Sequence, residues 1–146
     1  MAVQTGPDKI RKTIYEQICK HIRQYRFETG GIIGVNEQRI ICDFRFDNII
    51  SPAKYEYLPN THYLNEIINS VWMEKNISFV GFVHSHLHTD NISQQDINYV
   101  REILKVNSFL EHILVGVINL EDKDDCIRWF LISMECVCDC IVNKIA

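Results

Sequence analysis

The sequence lacks an excess of positive charge, a long hydrophobic run and an apolar leader, and each absence argues against a class of function. Lys and Arg number 15 against 19 Asp and Glu, a formal net charge of −4. A chain of this charge has no evident surface for a phosphate backbone, so we expect no nucleic-acid partner. No window approaches 18 consecutive apolar residues, so no membrane span is expected. Residues 1–8 contain no apolar core of signal-peptide length, and we expect a cytoplasmic protein.

The six cysteines are the unusual part of the composition. For a cytoplasmic protein we expect reduced thiols in place of a disulfide framework. Cys19, Cys42 and Cys126 lie in apolar or periodic segments, which predicts small core residues. The alternating series Cys136–Cys140 would place three thiols on one face of a strand. Buried thiols or an unusual edge strand explain this series better than a second metal site.

Hydrophobic residues make up 47% of the 146 residues and charged residues 23%, which favours a single globular domain over residues 1–146 with a loose N-terminus at 1–7. Helical stripes and β-branched runs alternate in the order αββ–αβ–αββ, which predicts an α/β (mixed α+β) fold with one mixed sheet flanked by helices. Helices are predicted to begin near Pro7, Asn60 and Ser93, the first with Ile10 in its stripe; strands are predicted at 27–35, 39–46, 79–86, 113–118, 127–132 and 136–142, with a short one at 55–57.

The predicted strand Phe79–His86 ends in two histidines one residue apart. Alternate side chains of a strand point to the same face, so His84 and His86 project together with Cα atoms roughly 7 Å apart. Two converging imidazoles are half of a zinc site. A pair of edge histidines without a metal is the alternative.

Asp96 is the candidate third ligand. It lies three residues after Ser93, and Ser-x-x-Asp before an apolar stripe is also typical of a helix cap with Ser93 as the N-cap. The two interpretations are compatible, because a capped helix can also carry a ligand. Two imidazoles and one carboxylate would leave a fourth zinc position for water. The pKa of that water would fall from about 9 on aqueous zinc to roughly 7 in such a site.

Two segments together resemble a known family. Glu28–Gly34 is similar to the acidic-Gly-Gly strand of the JAMM (MPN-plus) metalloproteases, and His84-x-His86 followed by Ser93-x-x-Asp96 is similar to their His-x-His…Ser-x-x-Asp signature. The resemblance extends over roughly residues 10–132 and points to the compact bacterial form. It implies a JAB/MPN-type domain with the layering of cytidine deaminases, and one zinc ion per chain.

The resemblance also implies roles for individual residues. His84, His86 and Asp96 would bind zinc, Glu28 would hold the catalytic water as general base, and Ser93 would donate to the oxyanion. The expected function is a zinc-dependent metallopeptidase or isopeptidase that cleaves an amide bond. Its expected partner is a ubiquitin-like protein or its conjugate, cleaved at the C-terminal tail, or another peptide substrate.

The sequence departs from the family pattern after the second histidine. Leu87 stands where the family usually has proline, and the interval from His86 to Ser93 is one residue shorter, so we expect a looser loop at 87–92. His88 alternates with the two histidines, but a polar loop residue is the favoured interpretation. An inactive MPN-type binding or scaffold module is the alternative function. A deaminase is disfavoured, because His-x-Glu and Pro-Cys-x-x-Cys are absent.

Overall fold

A single mixed sheet organises the described part of the chain, which in the computed structural model comprises residues 6–47, 59 and 61–146. The strands are β1 (Lys9–Arg11), β2 (Gly30–Val35), β3 (Ile40–Phe46), β4 (Ser78–His86), β5 (His112–Asn119), β6 (Ile127–Ser133), β7 (Val137–Cys140) and β8 (Asn143–Ile145). The helices are α1 (Lys12–Ile22), α2 (Thr61–Glu66) and α3 (Gln94–Val106), and α2 continues directly into a π-helical segment, Ile67–Trp72. The predicted mixed sheet flanked by helices is confirmed.

Strand β4 lies inside the sheet, whose order over the described residues is β7-β6-β5-β4-β2-β3-β1-β8. It pairs antiparallel with β2, where Gly30 is opposite His84, and parallel with β5, where His84 is opposite Val117. The carboxyl end of β4 is therefore held by backbone hydrogen bonds on both sides. This rigid frame is what carries the two histidines.

Each face of the sheet has its own apolar layer. Helix α1 covers one face with Ile14, Ile18 and Ile22, while α2, the π-helical segment and α3 cover the other with Leu64, Trp72, Val100 and Leu104. Burying one such side chain fully contributes about 1.5–3 kcal/mol. Along β4, Val83 belongs to the α1 layer and Phe82 to the α3 layer. Alternation therefore directs His84 and His86 toward the α3 face and Ser85 toward the α1 face.

The N-terminal helix prediction is wrong at its start. The helix begins at Lys12, and Ile10, predicted in its stripe, lies fully buried in β1. Strand β1 pairs in parallel with β3 and with β8, a strand that the sequence pattern did not predict. Because both partners are distant in sequence, local periodicity could not separate this short strand from a first helical turn.

The remaining local predictions have mixed outcomes. The β2–β3 and β5–β6 hairpins are antiparallel as predicted, and β7 is an edge strand. Within the N-terminus predicted to be loose at 1–7, Gly6 is half-buried and Pro7 is buried. Residues 1–5, the short strand predicted at 55–57 and Asn60 lie outside the described residues. In the portion of the chain that is described, no helix is long and apolar enough to cross a membrane.

The cysteines divide by burial. All six are free thiols, and Cys19 is buried as predicted. Cys126 is exposed, which corrects its assignment to the core, because it lies in the turn that precedes β6. Cys136 and Cys138 are also exposed, and Cys140 is half-buried. The tail series therefore belongs to an edge strand, and two of its three thiols face solvent.

A substitution at Gly81 tests whether the close approach of β4 and β5 requires a residue without a side chain. A Cβ atom at Gly81 would lie 1.7 Å from the backbone oxygen of Leu114, which cannot move without breaking the ladder. Gly81→Ala should lower the free energy of unfolding by at least about 3 kcal/mol. Gly6→Ala is the control, because its Cβ would meet only the Cδ1 end of the Leu131 side chain, at 2.7 Å. Equal unfolding free energies for the two variants in a denaturant titration would contradict this assignment.

Candidate metal centre

His84, His86 and Asp96 converge where the end of β4 meets the start of α3. The Nε2 atoms of His84 and His86 are 2.9 Å apart, and each is 3.0 Å from Oδ2 of Asp96. Both histidines are buried, and the side chain of Asp96 is 20% exposed. Their ligand atoms all lie within 4.8 Å of one another, so among the described residues these three side chains are a candidate set of metal ligands.

A reciprocal helix cap fixes Asp96 in this position. Ser93 is the N-cap of α3, and its Oγ accepts a hydrogen bond of 3.1 Å from the Asp96 N–H. The Ser93 N–H donates in return to Oδ2 of Asp96, also at 3.1 Å. The capping interpretation is therefore confirmed, and the oxygen that completes the cap is the one that faces the histidines. One carboxylate serves the helix terminus and the histidine cluster together.

The protonation equilibria follow from this geometry. Burial alone would raise the pKa of Asp96, but hydrogen bonds from His84 and His86 outweigh it and hold the pKa well below the ordinary carboxyl range. Burial alone would lower the pKa of His86, but the hydrogen bond and charge of Asp96, with the charge of Glu28, raise it above its usual value. Asp96 is thus ionised at neutral pH, the form in which a carboxylate binds a cation.

The donor set fits a zinc ion. Tetrahedral zinc with nitrogen and oxygen ligands near 2.0–2.2 Å places its ligand atoms about 3.3 Å apart. The observed triangle of 2.9–3.0 Å lies within a few tenths of an ångström of that spacing. Two imidazoles and one carboxylate also give the three protein ligands typical of a catalytic zinc site. The group could therefore bind a metal ion.

Glu28 is held beside this group by the neighbouring strand ends. The N–H of Thr29 donates to Oγ of Ser85 at 3.1 Å, and the N–H of Ser85 donates to the Thr29 carbonyl at 2.9 Å. These bonds extend the β2–β4 pairing past Gly30, and the same register places Glu28 opposite His86. The importance of Ser85 was not predicted, although it is the residue between the two histidines.

Leu87 has a structural role that its departure from the family pattern did not suggest. Its backbone N–H donates to Oε2 of Glu28 at 3.2 Å. A proline at this position would have no N–H to donate. The departure at Leu87 therefore supplies a hydrogen-bond donor to the Glu28 carboxylate.

Arg128 of β6 anchors the loop at 87–92, which we expected to be loose. Its guanidinium donates to Asp90 at 3.4 Å and to Asn91, and its Nε donates to Asp139 of β7 at 3.0 Å. The loop is thereby tied to two strands of the sheet. Nothing in the sequence near Arg128 indicated this contact, because its loop partners lie 37 and 38 residues away.

His88 lies outside the cluster. Its Nδ1 contacts the carboxylate of Glu121, and both side chains are exposed. Its interpretation as a polar loop residue is supported over that of a ligand. The contact gives the loop a second attachment, to the turn after β5.

Solved structures identify the fold. The solution structure of protein DSY2949 from Desulfitobacterium hafniense superposes with a TM-score of 0.69 at 18% identity, covering 94% of this chain and 92% of that one. The crystal structure of AF2198, a JAB1/MPN domain protein from Archaeoglobus fulgidus, gives a TM-score of 0.58 at 12% identity, covering 94% and 99%. The chain thus has a JAB/MPN-like fold, as the resemblance implied. At these identities the likeness concerns the fold alone.

Sequence comparison adds less. No family model matches the chain. A curated protein nucleotidyltransferase, YdiU of Clostridium botulinum (strain Alaska E43 / Type E3), is 37% identical over 109 residues, which are 66% of this chain and 22% of that protein. The chain spans about a fifth of that relative, so the relative's name describes a much longer protein.

Replacing Arg128 should loosen the loop at 87–92, and this effect should not depend on whether a metal ion is bound. Arg128→Gln removes the guanidinium contacts to Asp90, Asn91 and Asp139. Amide hydrogen exchange at 87–92 should become several-fold faster, because local opening no longer breaks these contacts. Lys105→Gln is the control, since it removes an exposed ion pair with Glu102 on α3. Unchanged exchange in Arg128→Gln would show that the loop does not depend on Arg128.

Proposed function

We propose that this chain is a JAMM-type zinc metallopeptidase that hydrolyses an amide or isopeptide bond. The observation that carries the proposal is the 2.9–3.0 Å triangle of His84, His86 and Asp96 with the carboxylate of Glu28 held beside it. The JAB/MPN-like fold supports it, since the JAMM resemblance covers the same elements. A peptidase needs a ligand set, a base and an oxyanion donor, and each has a candidate in the described residues.

The ligand set would keep a net positive charge at the centre. Two neutral imidazoles and one carboxylate compensate only one of the two charges of Zn²⁺. When bound, zinc would supply a Lewis acid that polarises a substrate carbonyl and lowers the pKa of water. The buried histidines exclude solvent from one side of the centre, which strengthens electrostatic interactions there.

Glu28 would act as the general base. Its carboxylate would accept a proton from the attacking water and then deliver that proton to the leaving amine. Glu28 precedes β2, whereas the ligands belong to β4 and α3. This separate origin allows the carboxylate to stand beside the ligand triangle without belonging to it. The hydrogen bond from the Leu87 N–H restricts its orientation.

Ser93 would donate to the developing oxyanion. Its Oγ accepts from the Asp96 N–H within the helix cap. A hydroxyl that accepts one hydrogen bond still has its own O–H to donate. The cap fixes where that oxygen lies, so the donor would be preorganised, as oxyanion stabilisation requires.

The substrate we propose is the C-terminal tail of a ubiquitin-like protein, or another peptide. The tail could not add as a strand beside β4, because β5 and β2 occupy both edges of that strand. It would instead cross the end of β4 on the side where α3 begins. The proposed partners do not include nucleic acid, given the net negative charge.

Metal analysis tests the ligand assignment separately from turnover. Wild-type protein should bind about one zinc ion per chain, and His84→Ala or Asp96→Asn should lose it. Glu28→Gln should keep the metal, because Glu28 is outside the ligand triangle. His62→Ala is the matched control, since the side chain of His62 is 89% exposed and pairs with the exposed Glu66. Zinc retained by His84→Ala would contradict the assignment.

Turnover tests the base. With fusions of a ubiquitin-like protein to a peptide through its C-terminal tail, Glu28→Gln should lower kcat by about 10²–10⁴-fold. Zinc content and the unfolding transition should match the wild type. Wild-type cleavage by Glu28→Gln would refute the mechanism. Full zinc loading of the wild type without cleavage of any such fusion would favour the scaffold alternative.

A further inference from the structure

Two exposed thiols meet at the edge of the sheet, away from the ligand triangle. The Sγ atoms of Cys136 and Cys138 are 2.8 Å apart, and both residues are exposed. They lie at the β6–β7 hairpin, and β7 is the outermost strand on its side of the sheet. The proposed peptidase chemistry does not use either thiol.

The hairpin geometry brings the thiols together. The N–H of Ser133 donates to the Cys136 carbonyl at 2.9 Å, and the N–H of Cys136 donates to Oγ of Ser133 at 3.0 Å. Cys138 is paired with Leu131 in the ladder. The observed Sγ–Sγ distance of 2.8 Å is already close to the length of about 2.05 Å in a disulfide. Cys136 lies in the hairpin before β7 begins at Val137, so closing the bond requires an adjustment of that turn and leaves the β6–β7 pairing in place.

We propose that Cys136 and Cys138 form a redox site, a dithiol that closes reversibly to a disulfide by exchange with a low-molecular-weight disulfide. The contact with Cys136 raises the pKa of Cys138, so we expect Cys136 to attack the small disulfide first and Cys138 to close the bond. A metal site at these cysteines is disfavoured. In the described part of the chain, the cluster of three possible ligands comprises His84, His86 and Asp96 and includes neither cysteine.

The third thiol of the series is kept apart by its environment. Cys140 is half-buried and packs against the α1-side layer. Burial, followed by the charge of Asp139, raises the pKa of Cys140 to about 11. Since the thiolate is the nucleophile in exchange, Cys140 reacts slowly near neutral pH. The site therefore comprises two cysteines of the three.

The exchange balances with oxidised glutathione as the oxidant. One cysteine thiolate attacks a sulfur of the glutathione disulfide, forms a mixed disulfide and releases one glutathione thiolate. The second thiolate attacks the cysteine sulfur of the mixed disulfide and releases the second glutathione. Two electrons pass from the dithiol to glutathione, and the two protons of the cysteine thiols end on the two glutathione thiols.

Intact-mass measurement after treatment with oxidised glutathione tests the site. Peptide mapping of the wild type should place a bond between Cys136 and Cys138, with the loss of two hydrogen atoms from that peptide and no glutathione on either cysteine, whether or not Cys126 carries an adduct. Dithiothreitol should reverse it. Cys136→Ser and Cys138→Ser should each stop at a stable glutathione adduct on the remaining cysteine. Cys126→Ser is the matched control, since Cys126 is also exposed, and it should form the disulfide like the wild type.

Three outcomes would overturn the proposal. The wild type could carry separate glutathione adducts on Cys136 and Cys138 without closing the bond. The bond could map to another pair, such as Cys138 with Cys140, or join two chains. Disulfide formation could also be undiminished in Cys136→Ser. Each result can be read without any peptidase activity, so the redox site stands or falls independently of the proposed function.

Discussion

Oδ2 of Asp96 receives polar contacts from both histidines of β4 and from the N-cap backbone of α3. This one oxygen connects the end of β4 to the first turn of α3. The helix start is therefore positioned by the same contacts that assemble the candidate metal centre. Because the contacts to this half-buried, ionised carboxylate are charge-assisted, they are stronger than ordinary neutral hydrogen bonds. The fold and the site share this junction.

The alternation of β4 divides its end between two tasks. His84 and His86 face α3, whereas Ser85 faces the other layer and binds the backbone of Thr29. The contact between Ser85 and Thr29 extends the pairing with β2 by one residue and thereby fixes the backbone position of Glu28, the residue before Thr29. Three consecutive residues of one strand thus place groups on both sides of the centre. An internal strand can do this because its backbone is fixed by two neighbours.

The sequence predicted those parts of the site whose signals are local. The spacing of His84 and His86 on a strand, and of Ser93 and Asp96 at a cap, follows from strand and helix geometry. Glu28 was found only through the family resemblance, because its neighbours lie more than fifty residues away. From the sequence, Leu87 was interpreted only as the loss of a proline. In the structure its backbone N–H donates to the carboxylate of Glu28. Arg128 gave no local signal, since its role depends on strand order.

The same limit explains the errors in the fold. Ile10 fits a helical stripe by spacing, but its strand exists because β3 and β8 flank it. Cys126 looked apolar by context and lies in an exposed turn. Hairpins were predicted correctly because their partners are adjacent in sequence. The parallel pairing of β1 with strands far away in sequence has no comparable local sequence pattern.

The capping box at Ser93 and Asp96 has a consequence for how such a site could be lost in evolution. Replacing either residue removes part of the helix cap, which typically costs about 1 kcal/mol of stability. Glu28 has no place in that cap. In descendants no longer selected for catalysis, drift would therefore reach Glu28 before it reached Asp96. A chain that kept the three candidate ligands but not the glutamate would show that order of loss, whereas this chain has all four residues.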